Sequence, residues 1–337
     1  MKKFEKIFFS MIAMIMMVAV GSVFTSCSND DDGFRVPVQE SQFDQALGQD
    51  SIAPMTRGVT AVSLVNFGTS VTNHTLIKSG TYVNLYKYDY DNIYIAEVNL
   101  TGANIGLIWG TPYTPSTYYS YQYTDAKAYN RKYVYGFVQN ETECFLAFNF
   151  SFFDLGNYVP TYPFTQAGYV EPGGHKTWKE DYTNYNLFTM VFNQGYGVKL
   201  DSFTGSDRAN FGTNYSGQKA YVVRNGEGNN PDGNARRTIL AFTTKSGSYY
   251  RRMYVLISKA QIKEGANDTE AGSAKKYLKN FISAKEGSSV SVQYCPLDGG
   301  SSTQMECGNS TYSFQGGRKV INVMIVKDWW SLKIDLF

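Results

Sequence analysis

An α+β fold, a mixed, strand-rich β-sheet domain with a few helices, is what this sequence predicts, and three observations lead there. Short runs rich in Val, Ile, Phe and Tyr recur from about residue 60, bounded by Gly, Asn, Asp or Ser. The chain holds 27 tyrosines and 22 phenylalanines, and aromatic side chains suit the pleated, half-buried surface of strands. One long segment has clear helical spacing, and it feeds directly into a strand.

The strand-like runs are Thr60–Phe67, Thr81–Tyr88, Ile93–Leu100, Lys132–Val138, Cys144–Phe153, Leu187–Phe192, Ala220–Val223, Thr238–Thr244, Met253–Ser258, Val290–Tyr294 and Val320–Val326. The main helix is predicted over about 268–286. Asp268 to Glu270 supply a cap and an acidic first turn, Ala271, Ala274, Leu278, Phe281 and Ile282 recur at helical spacing, and Lys285 with Gly287 closes it. A shorter helix is predicted over Thr124–Arg131. No internal repeat is present.

The first residues read as a targeting segment. Lys2, Lys3 and Lys6 form a basic head, and Ile7 to Val23 is largely apolar. The run ends at Phe24-Thr-Ser-Cys27, which resembles the lipobox of bacterial lipoproteins; a spanning helix is the rival reading. The resemblance implies that residues 1–26 are a signal peptide and that Cys27 carries lipid, anchoring the protein to a membrane without spanning it. The acidic run Ser28 to Asp32 resembles the signal that sends some Gram-negative lipoproteins to the outer face of the outer membrane, so a surface-exposed cell-envelope lipoprotein is expected. Residues 27–59 read as the lipidated cysteine and a flexible tether, and 60–337 as the folded domain.

Removing residues 1–26 takes three lysines and one glutamate from totals of 31 basic and 29 acidic residues, leaving 28 of each. A chain of zero formal charge offers no electrostatic case for nucleic acid. Beyond Cys27 the cysteines are Cys144, Cys295 and Cys307, an odd number that allows at most one internal disulfide and fits no zinc spacing. His74 and His175 are the only histidines. Serine–histidine catalysis and histidine-rich metal sites are therefore poorly supplied, and no cofactor or metal is called for.

Three stretches could carry chemistry. After the strand "SVSVQYCPL", Asp298 is followed by Gly299-Gly300-Ser301-Ser302, which puts a carboxylate at the rim of a sheet beside a turn rich in N–H and hydroxyl donors. "CFLAFNFSFFD" holds Asn149 inside an apolar strand, where an amide needs partners. "NARRTILAF" puts Arg236 and Arg237 at the mouth of another strand, where a guanidinium can grip an anion with two N–H groups.

"NFSFFD", "ARRTILAF", the helix, "LDGGSSTQM" and "GGRKVINVMIV" occur in the order of the landmarks of the phosphodiester glycosidase family, and the chain resembles that family from roughly 60 to 327, most strongly from Cys144 onward. Asn149 with Phe152 and Phe153 matches the first landmark, Arg237-Thr238 the second, Leu297 to Ser302 the third and Arg318 the fourth. The two glycines that family places after the asparagine are Phe150 and Ser151 here, and one glycine of the aspartate loop is missing; bulk at Phe150 is expected to narrow the pocket or change the sugar accepted.

The resemblance implies hydrolysis of a sugar-1-phosphodiester in glycan processing. Asp298 would act on the anomeric carbon or on water, and Asn149 would orient a sugar hydroxyl or acetamide. Arg237, Thr238, Arg318 and the donors of Gly299, Gly300, Ser301 and Ser302 would hold the phosphate. Glu97 and Asp154 are candidates for a second carboxylate. The rival is a non-catalytic glycan-binding or adhesion lipoprotein, and convergence of Asn149, Arg237, Asp298 and Arg318 on one pocket would favour the enzyme.

Overall fold

The computed structural model describes residues 72–89, 91–114, 126–141, 143–166, 168–172, 186–228 and 230–328, all within one compact unit of the chain spanning 40–337. The signal segment, Cys27, the tether, the run Thr60–Phe67 and His175 lie outside the described residues. Among the described residues no helix is long and apolar enough to cross a membrane.

In chain order the strands are β1 (His74–Ser79), β2 (Val83–Tyr88), β3 (Ile93–Asn99), β4 (Asn104–Trp109), β5 (Pro112–Tyr113), β6 (Ala128–Tyr129), β7 (Cys144–Asn149), β8 (Phe164–Gln166), β9 (Tyr169–Glu171), β10 (Leu187–Asn193), β11 (Gly197–Phe203), β12 (Lys219–Arg224), β13 (Thr238–Ser246), β14 (Tyr249–Ser258), β15 (Gln293–Pro296), β16 (Met305–Glu306) and β17 (Asn322–Lys327). Among the described residues the helices are α1 (Val134–Val138), α2 (Phe211–Asn214) and α3 (Ala274–Glu286). The α+β expectation holds, but the strands are antiparallel in every described pairing rather than mixed.

Eleven strands form one large sheet, in which β14 pairs with β3, β13 and β11, and β13 also pairs with β15. A second sheet runs β16-β7-β17-β4. Alternation along the central strands decides which layer each side chain joins. Leu240 and Phe242 of β13, Val255 and Ile257 of β14, and Ala96 and Val98 of β3 pack with Phe148, Val323 and Ile325 of the small sheet in the main core. The intervening residues Ile239, Ala241, Leu256 and Ile95 turn the other way and meet Leu278, Phe281 and Ile282 of α3. Burying each such large apolar side chain contributes about 1.5–3 kcal/mol, so two apolar faces hold three layers together.

Helix α3 starts six residues later than predicted. Gly272 has φ +74° and Asn267 Oδ1 accepts from the backbone and hydroxyl of Thr269 at 3.0 and 2.6 Å, so 268–272 is spent in turns. Ser273 is the cap, its Oγ accepting from Lys276 N at 3.3 Å. Within the predicted helix 124–131, Ala128–Tyr129 is strand β6 instead. The run 132–138, predicted as a strand, holds α1: Val134, Phe137 and Val138 are buried at i, i+3 and i+4, a helical spacing that its β-branched composition masked. Strands β4 and β11 went unpredicted because Gly106 and the polar Lys199 and Asp201 interrupt their patterns. Cys144, Cys295 and Cys307 are all unpaired.

Candidate functional site

Strand β15 lies at the edge of the large sheet beside β13, with Leu240 opposite Cys295 and Ile239 opposite Pro296. The chain leaves that edge at Leu297, whose N–H still bonds Thr238 O at 2.9 Å, and Asp298 follows. Residues from the small sheet fix its backbone on both sides. Asp298 N donates to Phe150 O at 3.2 Å, and Nδ2 of Asn149 donates to Asp298 O.

Asn149 is the joint between the layers. It is fully buried, and its Oδ1 accepts from Thr238 Oγ1 at 2.9 Å and from Gln304 N at 3.2 Å. One amide thus ties β7, β13, the Asp298 turn and the approach to β16 together. These protein contacts engage both ends of the Asn149 amide and tie the backbone of Asp298 to it, and the Thr238 hydroxyl is spent on Asn149.

Gly300 adopts φ +62°, a left-handed conformation that glycine alone enters without strain, and this reverses the chain into a short 3-10 turn over Gly300–Ser302. The turn is less open as an anion cradle than its composition promised. Gly300 N–H donates to Arg236 O at 2.8 Å and Ser302 N–H to Gly299 O at 3.2 Å. The pair Gly316-Gly317 explains itself by proximity: a Cβ on Gly316 would lie 2.2 Å from Ser301 O. That contact seats the bend bearing Arg318, which precedes β17, against the turn, where Arg318 N donates to Ser301 O at 3.2 Å. Gln304 clamps the same place from below, its Nε2 donating to Arg318 O at 2.6 Å and its Oε1 accepting from Val134 N at 3.1 Å.

The Asp298 carboxyl is held above the ordinary carboxylate range by burial, against the opposing pull of the Arg318 guanidinium, the Ser302 hydroxyl, the Arg224 guanidinium and the Gly299 N–H. Asp298 nevertheless keeps part of its surface in solvent. Two cations and one carboxylate therefore share the site. Nε of Arg318 and Oγ1 of Thr303 are buried with no protein partner among the described residues, and such donors are costly to leave empty.

Arg224 was missed in the sequence. It is the last residue of β12, fully buried, with Nε donating to Tyr162 Oη at 2.9 Å and its guanidinium 4.4 Å from the Phe152 ring centroid. The available signal was an arginine closing the apolar run "AYVV", where a buried charge needs a reason.

Four expectations are corrected. Arg237 does not join Asp298. It precedes Thr238 by one residue, so alternation sends its side chain to the opposite face of β13. There NH2 donates to Gly233 O and, at 2.9 Å, to Asn230 O; Nε donates to Ile262 O at 3.3 Å, and NH1 lies 3.7 Å from Glu264 Oε2. Glu97 sits on that same helix-side face, fully buried, with Lys285 Nζ 3.2 Å from Oε2 and Arg252 NH1 3.5 Å from Oε1. Asp154 closes a local turn, its Oδ2 accepting from Asn157 N at 2.7 Å. Phe150 does not narrow a pocket; its ring is buried in the main core, edge-on to Tyr221 at 5.7 Å between centroids. The neighbouring Ser151 is held by Asn322, whose Oδ1 accepts from Ser151 N at 3.0 Å and whose Nδ2 donates to Ser151 Oγ at 2.9 Å.

Of the four residues whose convergence was at issue, Asn149, Asp298 and Arg318 come together and Arg237 does not. No family model matches the chain, and no curated protein matches it. Among solved structures it is similar to the catalytic domain of zebrafish N-acetylglucosamine-1-phosphodiester alpha-N-acetylglucosaminidase auto-inhibited by its pro-peptide, at 12% identity and a TM-score of 0.41 over 72% of this chain and 77% of that one. It is also similar to a hypothetical protein from Synechocystis, at 11% identity and a TM-score of 0.35 over 75% of this chain and 61% of that one.

Proposed function

We propose that this chain is a lipoprotein hydrolase that cleaves a sugar-1-phosphodiester, with Asp298 as its working carboxylate and Arg318 as the main anion contact. The observation that carries this reading is a partly buried carboxylate on which the charges of two guanidinium groups, Arg318 and Arg224, both act, beside a buried Nε of Arg318 that has no protein partner among the described residues. An isolated carboxylate would be balanced by one cation. A second leaves the site electropositive, which suits a substrate that brings one negative charge, as a phosphodiester does.

In this reading the phosphodiester lies against Arg318, with the field of Arg224 behind it, and the anomeric carbon faces Asp298. Burial makes the Asp298 carboxylate more basic than an exposed one, which favours removing a proton from attacking water or adding to the anomeric carbon. A sugar phosphate is a good leaving group, so a strong second acid is not required. That fits the removal of Glu97 and Asp154 from the site. Asn149, Thr238 and Gln304 hold the geometry, and the lipid on Cys27 would keep the domain at the cell envelope.

Turnover of a panel of sugar-1-phosphodiesters in isotope-labelled water tests the reading. Label is expected in the released sugar. Label in the phosphate would instead identify cleavage on the phosphorus side, and saturable binding without turnover would establish a glycan-binding lipoprotein.

A further inference from the structure

We propose that a second site, which takes a neutral sugar ring, lies between the start of β1, the end of β2 and helix α3. It is independent of the Asp298 reading. Asp298 is anchored to the small sheet through Asn149, whereas this cavity belongs to the helix-covered face of the large sheet, where His74 packs edge-on against Phe281 with centroids 5.0 Å apart.

The site is an open-mouthed cleft of about 250 Å³, below the roughly 300–1,000 Å³ of sites for drug-sized ligands, and so fits one ring rather than a chain. Its walls are aromatic and held at fixed angles. Tyr88 and Tyr277 lie 5.1 Å apart between centroids at 63°, and His74 lies 4.9 Å from Tyr88 at 56°. Tyr277 is locked by its hydroxyl, which donates to Asp91 Oδ2 at 3.0 Å. Rigid aromatic walls of this kind match the C–H face of a pyranose.

His74 decides the polar side. Its Nδ1 lies 3.0 Å from Thr72 O, and a carbonyl can only accept, so Nδ1 carries the hydrogen. In the neutral ring Nε2 is then a lone pair, and it is buried without a protein partner among the described residues. Burial lowers the affinity of this ring for a second proton, which keeps the lone pair available. The missing partner is an O–H or N–H donor from a ligand. Asn73 and Asn280 at the rim offer amides that both donate and accept. Among the described residues no Lys, Arg, Asp or Glu lines the cavity, and the two carboxylates behind its walls, Asp91 and Asp89, are taken by the hydroxyls of Tyr277 and Thr75, so an ionic ligand would find no counter-charge in the wall itself. An apolar wall, one waiting acceptor and two amides describe a hydroxyl-rich neutral ring.

The test is titration of the purified chain with four methyl glycosides, of glucose, mannose, galactose and N-acetylglucosamine, followed by calorimetry and by the nitrogen resonance of His74 Nε2. At least one glycoside is expected to bind saturably at one per chain and to shift that resonance. Ala284→Trp, at an exposed helix position on the cavity wall, should weaken it at least ten-fold, and Asn280→Ala about three-fold. Asp298→Asn should leave it unchanged. Absence of saturable binding across the panel, or binding that survives Ala284→Trp, would overturn the proposal; binding abolished only by Asp298→Asn would assign the sugar to the first site instead.

Discussion

On the helix-side face of β13, Arg237 meets Glu264, Glu264 meets Lys275 at 3.2 Å, and Glu97 lies between Lys285 and Arg252. On the opposite face, one residue along, Thr238 leads through Asn149 to Asp298, whose carboxyl feels the charges of two guanidinium groups, and Arg318 Nε has no protein partner among the described residues. Both regions bury charge. The first closes its charges against one another and fastens α3 and the 225–237 loop to the sheet; the second leaves donors open beside a carboxylate. Burial of charge alone therefore does not separate a binding site from a structural network here; the two regions differ in that the second leaves buried donors open beside a carboxylate, whereas the first leaves only an acceptor, Glu97 Oε2, without a hydrogen bond.

The sharpest way to break this contrast is to remove one arginine from each side. Arg237→Ala should cost about 3–5 kcal/mol of stability, because it leaves Glu264 and several carbonyls buried without their donor, measured as a shift in denaturant midpoint. It should not selectively raise KM for an anionic substrate. Arg318→Ala should do the reverse, lowering kcat/KM for a sugar-1-phosphodiester by about 10²–10³-fold with a smaller change in midpoint. Equal effects of the two substitutions on stability and turnover would erase the distinction.

A finer contrast comes from pH. Arg318 draws the Asp298 carboxyl down while burial pushes it up, so Arg318→Ala should move the acid limb of the kcat/KM profile to higher pH, since more of the carboxyl is then protonated at a given pH. An acid limb that moves to lower pH would place the essential group elsewhere. The smallest expected effect is at Phe150. Phe150→Leu should cost roughly 1–2 kcal/mol as a core change and leave the range of sugars accepted unaltered, because the ring packs on Tyr221.

Much of this was legible in the sequence where local chemistry decides the outcome. The strand runs that became β3, β7, β10, β12, β13, β14 and β17 announce themselves by composition. Asp298 with its glycines announces a turn, and Asn149 announces a buried amide in need of partners. The direction of Arg237 was also within reach, since it alternates with Thr238 and both could not face the same layer. Other features depended on partners distant in the chain. Helix α1 forms where Gln304 Oε1 receives Val134 N, the clamp between Gln304 and Arg318 O spans 14 residues, and Arg224 acquires meaning only once Phe152, Tyr162 and Asp298 surround it. The N–H groups of the glycine turn were misjudged for the same reason, since Arg236 O, on a neighbouring strand's approach, takes the one on Gly300.

The most direct measurement is turnover of a sugar-1-phosphodiester by Asp298→Asn beside the unaltered chain, with circular dichroism to confirm the same fold. The substitution keeps the shape of the side chain and the backbone bonds to Asn149 and Phe150 but removes the ionisable oxygen. Loss of nearly all turnover with the fold intact is the predicted result, and full retained activity would contradict the assignment of Asp298 as the working carboxylate.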